Sequence, residues 1–393
     1  KYLLSKQIKV KNTLEFLTQC SSIFRENIDA KIISITGSCG KTTLKEMIGL
    51  TLKKISRTSY SPKSFNNKYG VPLSLFNLKQ NDEFGIFEVG MDRKGEIDNL
   101  TRIIKPDLGI ITNISYAHSK NFKSINDIAE AKAEIMNNIN KNGTIVLNMD
   151  DYFFNYHKKF AQKKKLKVVS FGIDNKSSMI RLIRIKKINK KYQLFINVQG
   201  MSVSFYSNNN NRSNLYNILA TLASINLYVD IKKIKKDIFL NFKSPLGRGD
   251  ISKIKLRNKQ FFLVDESYNS NPLSLKTAIE NYDKIESNNS KKFLILGDML
   301  ELGKHSVVQH KMISRIINKT KINQVYVFGK YIKETFKGLQ PNKKGKILNN
   351  KLDIMNIVND NVNNKDYLMI KGSNSTGLHR IAYNLKLRGQ NVI

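Results

Sequence analysis

From residue 31 onward, short apolar runs alternate with stretches of helical spacing. The first runs cover residues 32–35, 85–89, 108–112, 144–147 and 168–171. None shows the strict polar alternation of a half-exposed strand, so each predicts a strand covered on both faces. With helical segments between them, they predict crossover connections and a mainly parallel sheet flanked by helices. The pattern changes over residues 179–206, where alternation predicts a few antiparallel strands, followed by a helix over 214–227. The turn-rich stretch Ser244-Pro245-Leu246-Gly247-Arg248-Gly249-Asp250 marks a boundary. Beyond it a second series, 261–264, 293–296, 325–328 and 367–370, has a helical stretch after each strand and predicts a smaller doubly wound α/β domain. Ahead of residue 31 only 13–17 reads as helix, too short to hold a core alone. The expected fold class is therefore α/β. A central domain with a mainly parallel sheet (31–243) and a smaller C-terminal Rossmann-like domain (244–393) follow a short segment (1–30).

The first run ends in Thr36-Gly37-Ser38-Cys39-Gly40-Lys41-Thr42-Thr43 and opens a helix. Glycines at 37 and 40 let the backbone turn tightly, so that amide N–H groups converge at the positive end of the helix dipole. That geometry suits an anionic polyphosphate. Gly37, Ser38, Cys39, Gly40, Lys41, Thr42 and Thr43 are the candidate ATP-binding residues, with Lys41 neutralising phosphate charge and the Thr42 hydroxyl set to ligate Mg2+. Position 35, a glycine in the full P-loop spacing, is Ile here, so the motif is a shortened T-G-x-x-G-K-T.

Composition narrows the setting. The chain has 393 residues, 40% of them hydrophobic, enough for two or three domain cores. Two cysteines, Cys20 and Cys39, do not make a disulfide scaffold. No apolar run reaches the ~20 residues that span a bilayer, and the opening Lys1-Tyr2-Leu3-Leu4-Ser5-Lys6 lacks the apolar centre of a signal peptide. The expectation is a cytoplasmic protein without membrane insertion. The formal charge of +36 invites a nucleic-acid partner. The lysines, however, are spread through every segment beside Asn and Ile, as in Lys232-Lys233-Ile234-Lys235-Lys236, and no nucleic-acid-binding motif accompanies them. A drift of the whole composition accounts for the charge, and no dedicated nucleic-acid function is expected.

In open α/β sheets the active site lies beyond the carboxyl ends of the strands. Glu88 closes the second run with a carboxylate, and Thr112-Asn113 with His118 follow the third. Together with Thr42, Glu88 and His118 offer oxygen and imidazole ligands for Mg2+ beside a nucleotide.

These residues fall into an ordered set of motifs. They are Thr36 to Thr42; Phe65-Asn66-Asn67-Lys68-Tyr69-Gly70-Val71-Pro72; Glu88-Val89-Gly90 with Gly95-Glu96-Ile97; Thr112-Asn113 with His118; and Ala131-Lys132-Ala133-Glu134-Ile135. Asp265-Glu266-Ser267-Tyr268-Asn269-Ser270-Asn271-Pro272, Leu296-Gly297-Asp298-Met299 and Lys371-Gly372-Ser373 complete it. From residue 31 to the end the chain resembles the Mur ligases, the ATP-dependent amide-bond-forming enzymes of peptidoglycan synthesis. The Tyr268 to Pro272 and Gly297 to Met299 strings are similar to those of the dipeptide-adding members. The resemblance implies transfer of D-alanyl-D-alanine to UDP-N-acetylmuramoyl tripeptide through an acyl phosphate, with ATP and Mg2+ as cofactors. It also implies roles for single residues. Thr42 and Glu88 would hold one Mg2+, with His118 helping to hold a second. Lys132 matches the position that many Mur ligases carbamylate, where a carbamate supplies anionic oxygens to the metal. Asn214 and Asn217 would sit near the adenine, Arg248 at the phosphates, and Asp265 near the ribose or metal. The ATP would lie between the two α/β domains. Substrate would be met by Asn66, Asn67, Tyr268, Asn269, Asn271 and Lys371. Lys41, Glu88, His118, Lys132 and Arg248 form the implied catalytic set, and a monomer is expected.

Read as residues alone, Asn214 and Asn217 equally fit helix-start capping and a polar helix face, and Lys132 reads first as a solvated lysine on an acidic helix. The chain departs from the family pattern at Ser213, where a His is usual, and at Asn374-Ser375-Thr376, where an Arg is usual. Relatives carry a UDP-binding domain ahead of the phosphate loop, so residues 1–30 are expected to be the remnant of such a domain. The rival readings are a diaminopimelate- or lysine-adding Mur ligase, a ligase like folylpolyglutamate synthase, and a nucleotide-binding scaffold without turnover.

Overall fold

A computed structural model describes residues 7–117, 119–256, 258–286 and 290–390. It divides into two compact units. The first takes the chain up to Ile114, Asn126–Asn210 and Asn214–Asn241; the second takes Ser115–Ile125, Asn211–Ser213 and Phe242–Ile393.

The first unit is built on a nine-stranded sheet. Its strands are β1 (Lys31–Thr36), β2 (Thr58–Tyr60), β3 (Phe84–Glu88), β4 (Leu108–Ile111), β5 (Thr144–Asn148), β6 (Lys167–Gly172), β7 (Ile180–Ile188), β8 (Lys191–Val198) and β9 (Met201–Ser207), in the order β2-β3-β1-β4-β5-β6-β7-β8-β9. Strands β2 to β7 pair in parallel, and β7, β8 and β9 form an antiparallel meander at one edge. Helices α1 (Thr13–Glu26), α2 (Lys41–Lys53), α3 (Gly70–Leu75), α4 (Glu96–Ile104), α5 (Ile125–Ala133), α6 (Phe154–Lys163) and α7 (Arg212–Ile225) accompany it. Apart from its first residue β1 is buried throughout, and β3, β4 and β5 are buried over their whole length. Their continuous apolar runs reflect that double coverage.

The second unit carries a six-stranded sheet of β10 (Asp250–Leu256), β11 (Lys259–Glu266), β12 (Lys292–Gly297), β13 (Gln324–Phe328), β14 (Lys344–Leu348) and β15 (Tyr367–Lys371), ordered β10-β11-β15-β12-β13-β14. Only the β10–β11 pair is antiparallel. Its helices are α8 (Pro272–Asp283), α9 (Ser306–Ile317), α10 (Lys333–Lys337), α11 (Leu352–Asp360) and α12 (Leu378–Gln390). Alternate residues of one strand enter different cores. Phe293 and Ile295 of β12 join a cluster with Leu368, Ile370 and Leu385, whereas Leu294 and Leu296 join one with Met369, Leu275 and Ile313.

Several elements differ from the sequence expectation. The helix expected at 13–17 runs to Glu26, capped at its start by Asn12, whose side chain accepts the amides of Leu14 and Glu15. Arg25 near its end is buried and donates to the carbonyls of Ile104 and Ile28, which fastens α1 to the end of α4. The helix expected over 214–227 spans Arg212–Ile225. Strands β2, β10 and β14 were not anticipated. All three lie at sheet edges, where one row of backbone groups meets no neighbour and side chains are less covered, so their apolar signal is short or broken.

Candidate active site

In the first unit, β1 delivers the chain into the phosphate loop, and both glycines have left-handed backbone, with φ +146° at Gly37 and +83° at Gly40. Gly40 caps the start of α2, leaving the first amides of that helix directed toward the loop. The end of β4 latches the loop from beside it. Ser38 N–H donates to the Asn113 carbonyl (2.9 Å) and Cys39 N–H to Asn113 Oδ1 (3.0 Å), while Thr112 Oγ1 and Asn113 Nδ2 donate to the Cys39 carbonyl at 2.7 and 3.2 Å. Lys41 folds back, its Nζ 2.8 Å from the Gly37 carbonyl.

Thr42 is buried and its Oγ1 donates to Glu88 Oε2 at 2.7 Å, with Ser64 Oγ at 3.1 Å. Glu88 is 2% exposed, which separates it from a solvated strand end. Its other oxygen, Oε1, accepts from Asn66 Nδ2 at 2.6 Å. The parallel register of β1 against β3 sets Ile35 opposite Glu88, so the carboxylate stands beside the strand that feeds the loop. This donor set is all oxygen, as Mg2+ requires, and Thr42 with Glu88 fits that ion. Among the described residues no three His, Cys, Asp or Glu side chains converge on a metal position. His118 lies outside the described residues; its neighbours Ser119 and Lys120 bond to Leu302 and Glu301 within the second unit.

Lys132, on α5, is 2% exposed, which corrects the alternative of a solvated helix face. Burial holds its ammonium well below the ordinary lysine range, and the Lys41 charge lowers it further. Nearby His157 bonds through Nε2 to the Ala129 carbonyl (3.1 Å), and burial lowers it to about 4, so the imidazole is neutral at physiological pH. Glu134 takes the amides of Gly95 (2.7 Å) and Asp98 (3.2 Å), which joins the Ala131 to Ile135 and Gly95 to Ile97 motifs through the start of α4.

Asn217 is buried, its Oδ1 3.6 Å from where a Cβ on Gly40 would stand, so it borders the loop. Asn214 Nδ2 donates to Ser207 Oγ (3.0 Å) and the Asn209 carbonyl (3.4 Å). Both asparagines lie inside α7, which corrects the helix-start capping alternative. Asn67, in contrast, uses its Oδ1 to accept the amides of Tyr69 and Gly70 at the start of α3.

The second unit gathers its own polar cluster. The Arg248 guanidinium stands 4.2 Å over the Tyr268 ring. Lys371 is 2% exposed and donates to the carbonyls of Asn269 (3.0 Å) and Glu266 (3.3 Å), with Glu266 Oε2 at 3.4 Å. Burial pushes the Glu266 carboxyl up, against the pull of Lys371 and Arg248. Asp265 accepts from Ser267 Oγ (2.5 Å) and Lys386 Nζ (2.6 Å), and Lys386 also holds Asp250 at 2.5 Å. Asn271 caps α8 in a capping box with Ser274, and Asn269 Oδ1 accepts the Ser270 amide. Ser213 Oγ accepts from Asn281 Nδ2 at 3.4 Å, and Asn374 Nδ2 donates to the Tyr268 carbonyl at 3.3 Å. Sequence reasoning did not single out Ser64, Lys386 or Glu266 as site residues. Glu266 alone had a signal, as the carboxylate that ends β11.

Comparison with known proteins bears on this arrangement. Residues 35–225 match the Mur ligase middle domain and residues 253–374 the Mur ligase, glutamate ligase domain. The UDP-N-acetylmuramoyl-tripeptide–D-alanyl-D-alanine ligase of Buchnera aphidicola subsp. Acyrthosiphon pisum is 33% identical over 96% of this chain and 81% of its own length. The protein of that name from Rickettsia prowazekii is also 33% identical, over 96% of this chain and 82% of its own. In fold the chain is similar to MurF from Acinetobacter baumannii (TM-score 0.85, 24% identity, 97% of this chain and 82% of that one). It is similar too to MurF ligase from Thermotoga maritima in complex with ADP (TM-score 0.83, 22% identity, 98% and 86%). The α/β architecture with mainly parallel sheets is that of the Mur ligases, and the chain belongs to the Mur ligase family.

Proposed function

We propose that this protein is an ATP-dependent, ADP-forming ligase that adds D-alanyl-D-alanine to UDP-N-acetylmuramoyl tripeptide in peptidoglycan precursor synthesis. The observation that carries the reading is the phosphate loop whose Thr42 is bonded to the buried Glu88, in a chain aligned over 96% of its length with ligases of that name. A carboxylate oxygen of the tripeptide attacks the γ-phosphorus of ATP and ADP leaves, giving an acyl phosphate. The dipeptide amine then attacks the acyl carbon, a tetrahedral intermediate forms, and phosphate departs as the nitrogen loses a proton.

Charge governs this chemistry, because the attacking carboxylate and the γ-phosphoryl group repel each other. Loop amides from Gly37 to Thr43 and the Lys41 ammonium bind and orient the triphosphate. Thr42 and Glu88 would hold Mg2+, with His118 at a second ion; the metal neutralises charge on the phosphoryl oxygens. Lys132 is assigned carbamylation: burial disfavours its ammonium, and the neutral amine carries the lone pair that reacts with CO2. Asn217 borders the nucleotide, Arg248 takes phosphate charge, and Tyr268 with Lys371 serves the substrate. Asn67, Asn271 and Asp265 act through the turns and helix starts they hold. The reading carries with it a cytoplasmic monomer.

The test is ADP release by the full chain with ATP and Mg2+. Release that requires UDP-muramoyl tripeptide and D-alanyl-D-alanine together, with a product heavier by the dipeptide, is the expected result. Lys41→Ala should abolish it. ATP binding with no acceptor-dependent product would overturn the ligase reading.

A further inference from the structure

Lys45 stands one helical turn beyond Lys41 on α2 and is completely buried. Its Nζ donates to the carbonyls of Ser61 and Lys63, each at 2.5 Å, and lies 3.1 Å from Glu46 Oε1. A buried ammonium is expensive unless fully satisfied, and an apolar side chain of equal length often serves stability as well or better. The cation therefore calls for a use that a methionine would not fulfil, and the two carbonyls identify it. They belong to the turn that follows β2, where Lys63 has left-handed backbone at φ +46°. Residues just past that turn reach the Thr42–Glu88 pair: Ser64 Oγ lies 3.1 Å from Thr42 Oγ1 and Asn66 Nδ2 lies 2.6 Å from Glu88 Oε1. The same stretch is tied to β3 and its exit by Ser61 N–H to the Ile86 carbonyl (2.9 Å) and Gly90 N–H to the Asn66 carbonyl (2.8 Å).

We propose that Lys45 is a positioning residue of the ligase reaction: its buried ammonium clamps the 61–64 turn so that Ser64 and Asn66 hold Thr42 and Glu88 in their working orientation. The proposal rests on the ligase reading. Thr42 and Lys45 lie on the same helix, so one rigid element sets both the hydroxyl at the phosphate loop and the clamp on the turn that steadies it. Lys45 touches neither nucleotide nor acceptor in this scheme and acts only through the turn.

Lys45→Met removes the ammonium and keeps the length; Lys45→Gln keeps one donor group. Hydrogen exchange of the nucleotide-free full chain, read by mass spectrometry, should show faster exchange over residues 61–67 in Lys45→Met while α2 stays protected. In turnover, kcat should fall ~10–100-fold, as for a displaced catalytic group, and the half-saturating Mg2+ concentration should rise. The KM for D-alanyl-D-alanine should not move. Ser64→Ala should cost less in the Lys45→Met background than alone, because the two act on one contact. Lys45→Gln should fall between wild type and Lys45→Met. Wild-type exchange over 61–67 would overturn the proposal, as would a loss of kcat with unchanged Mg2+ dependence, which signals only less folded protein. Failure of both variants to fold would assign Lys45 to the core and overturn it equally. If wild type shows no acceptor-dependent ADP release, the ligase reading falls, and the exchange result still decides whether Lys45 clamps the turn.

Discussion

Gly37→Ala is the sharpest perturbation of the phosphate loop, and its cost can be built from two contributions. A Cβ on Gly37 would stand 1.8 Å from Thr112 Oγ1, 3.0 Å from Thr112 Cβ and 3.1 Å from Thr112 N, at a backbone φ of +146°. Holding an L-residue in that region costs about 1–3 kcal/mol. The overlap forces Thr112 Oγ1 away from the Cys39 carbonyl it reaches at 2.7 Å, and a lost hydrogen bond of this kind costs about 1 kcal/mol. Together they predict a loss of about 2–4 kcal/mol out of a typical 5–15 for a folded protein. Thr112→Ala alone should cost only the bond, about 1 kcal/mol. The double variant then removes the colliding oxygen, leaving the backbone strain with the already lost bond, so it should be more stable than the sum of the singles predicts. Urea unfolding of the three variants measures this, and calorimetric titration with ATP measures the parallel loss of affinity. A Gly37→Ala midpoint equal to wild type, or strictly additive effects, would refute the collision with Thr112 as the reason for glycine.

Two further outcomes concern buried titratable groups. His157 is lowered by burial to about 4 from its ordinary 6.5, so on acidification the unfolded chain binds the proton first. The stability due to the neutral ring is complete above pH 6.5 and is lost as pH falls through 4, about 3 kcal/mol in all. His157→Gln should flatten the urea midpoint between those limits; an unchanged slope would remove His157 as its source. Lys132 is also lowered, by burial first and then by Lys41, so stability should rise with pH from its depressed folded value up to 10.5, by about 1.4 kcal/mol per unit of depression. In CO2-free buffer Lys132→Met should raise the unfolding midpoint at neutral pH and abolish that rise, and under 13C-labelled CO2 a carbamate resonance should appear in wild type and be absent from the variant. A wild-type pH slope in Lys132→Met would refute the account.

How much of this could be read from the chain depends on how many neighbours a feature needs. Central strands such as β1, β3 and β4 are buried on both faces, so their apolar runs speak for themselves, whereas the edge strands β2, β10 and β14 carry no such run. The glycine turn between β1 and α2 was legible because Gly37 and Gly40 act there through local backbone geometry. Its latch was not, since Thr112 and Asn113 acquire their role only when parallel register brings the end of β4 alongside. Asparagine is read less easily: Asn67 and Asn271, expected to meet substrate, also hold helix starts through their side-chain oxygens, a role their identity alone does not announce.

Lysine shows the limit most sharply, because 67 Lys and Arg residues make any single one uninformative until burial sorts them. Lys45, Lys132, Lys292, Lys343 and Lys371 are all buried. Four of the five place Nζ on a pair of peptide carbonyls: Ser61 and Lys63, Asp283 and Ile285, Thr320 and Ile322, and Asn269 and Glu266. That arrangement satisfies the donors of a buried ammonium. Lys132 has no such carbonyl pair among the described residues, and the groups acting on it are its own burial, Lys41 and Cys39. Four of these lysines therefore brace loops and helix ends through those carbonyls. The fifth, Lys132, lacks that brace among the described residues, and burial and the Lys41 charge both disfavour its ammonium, so its environment rather than its identity sets it apart.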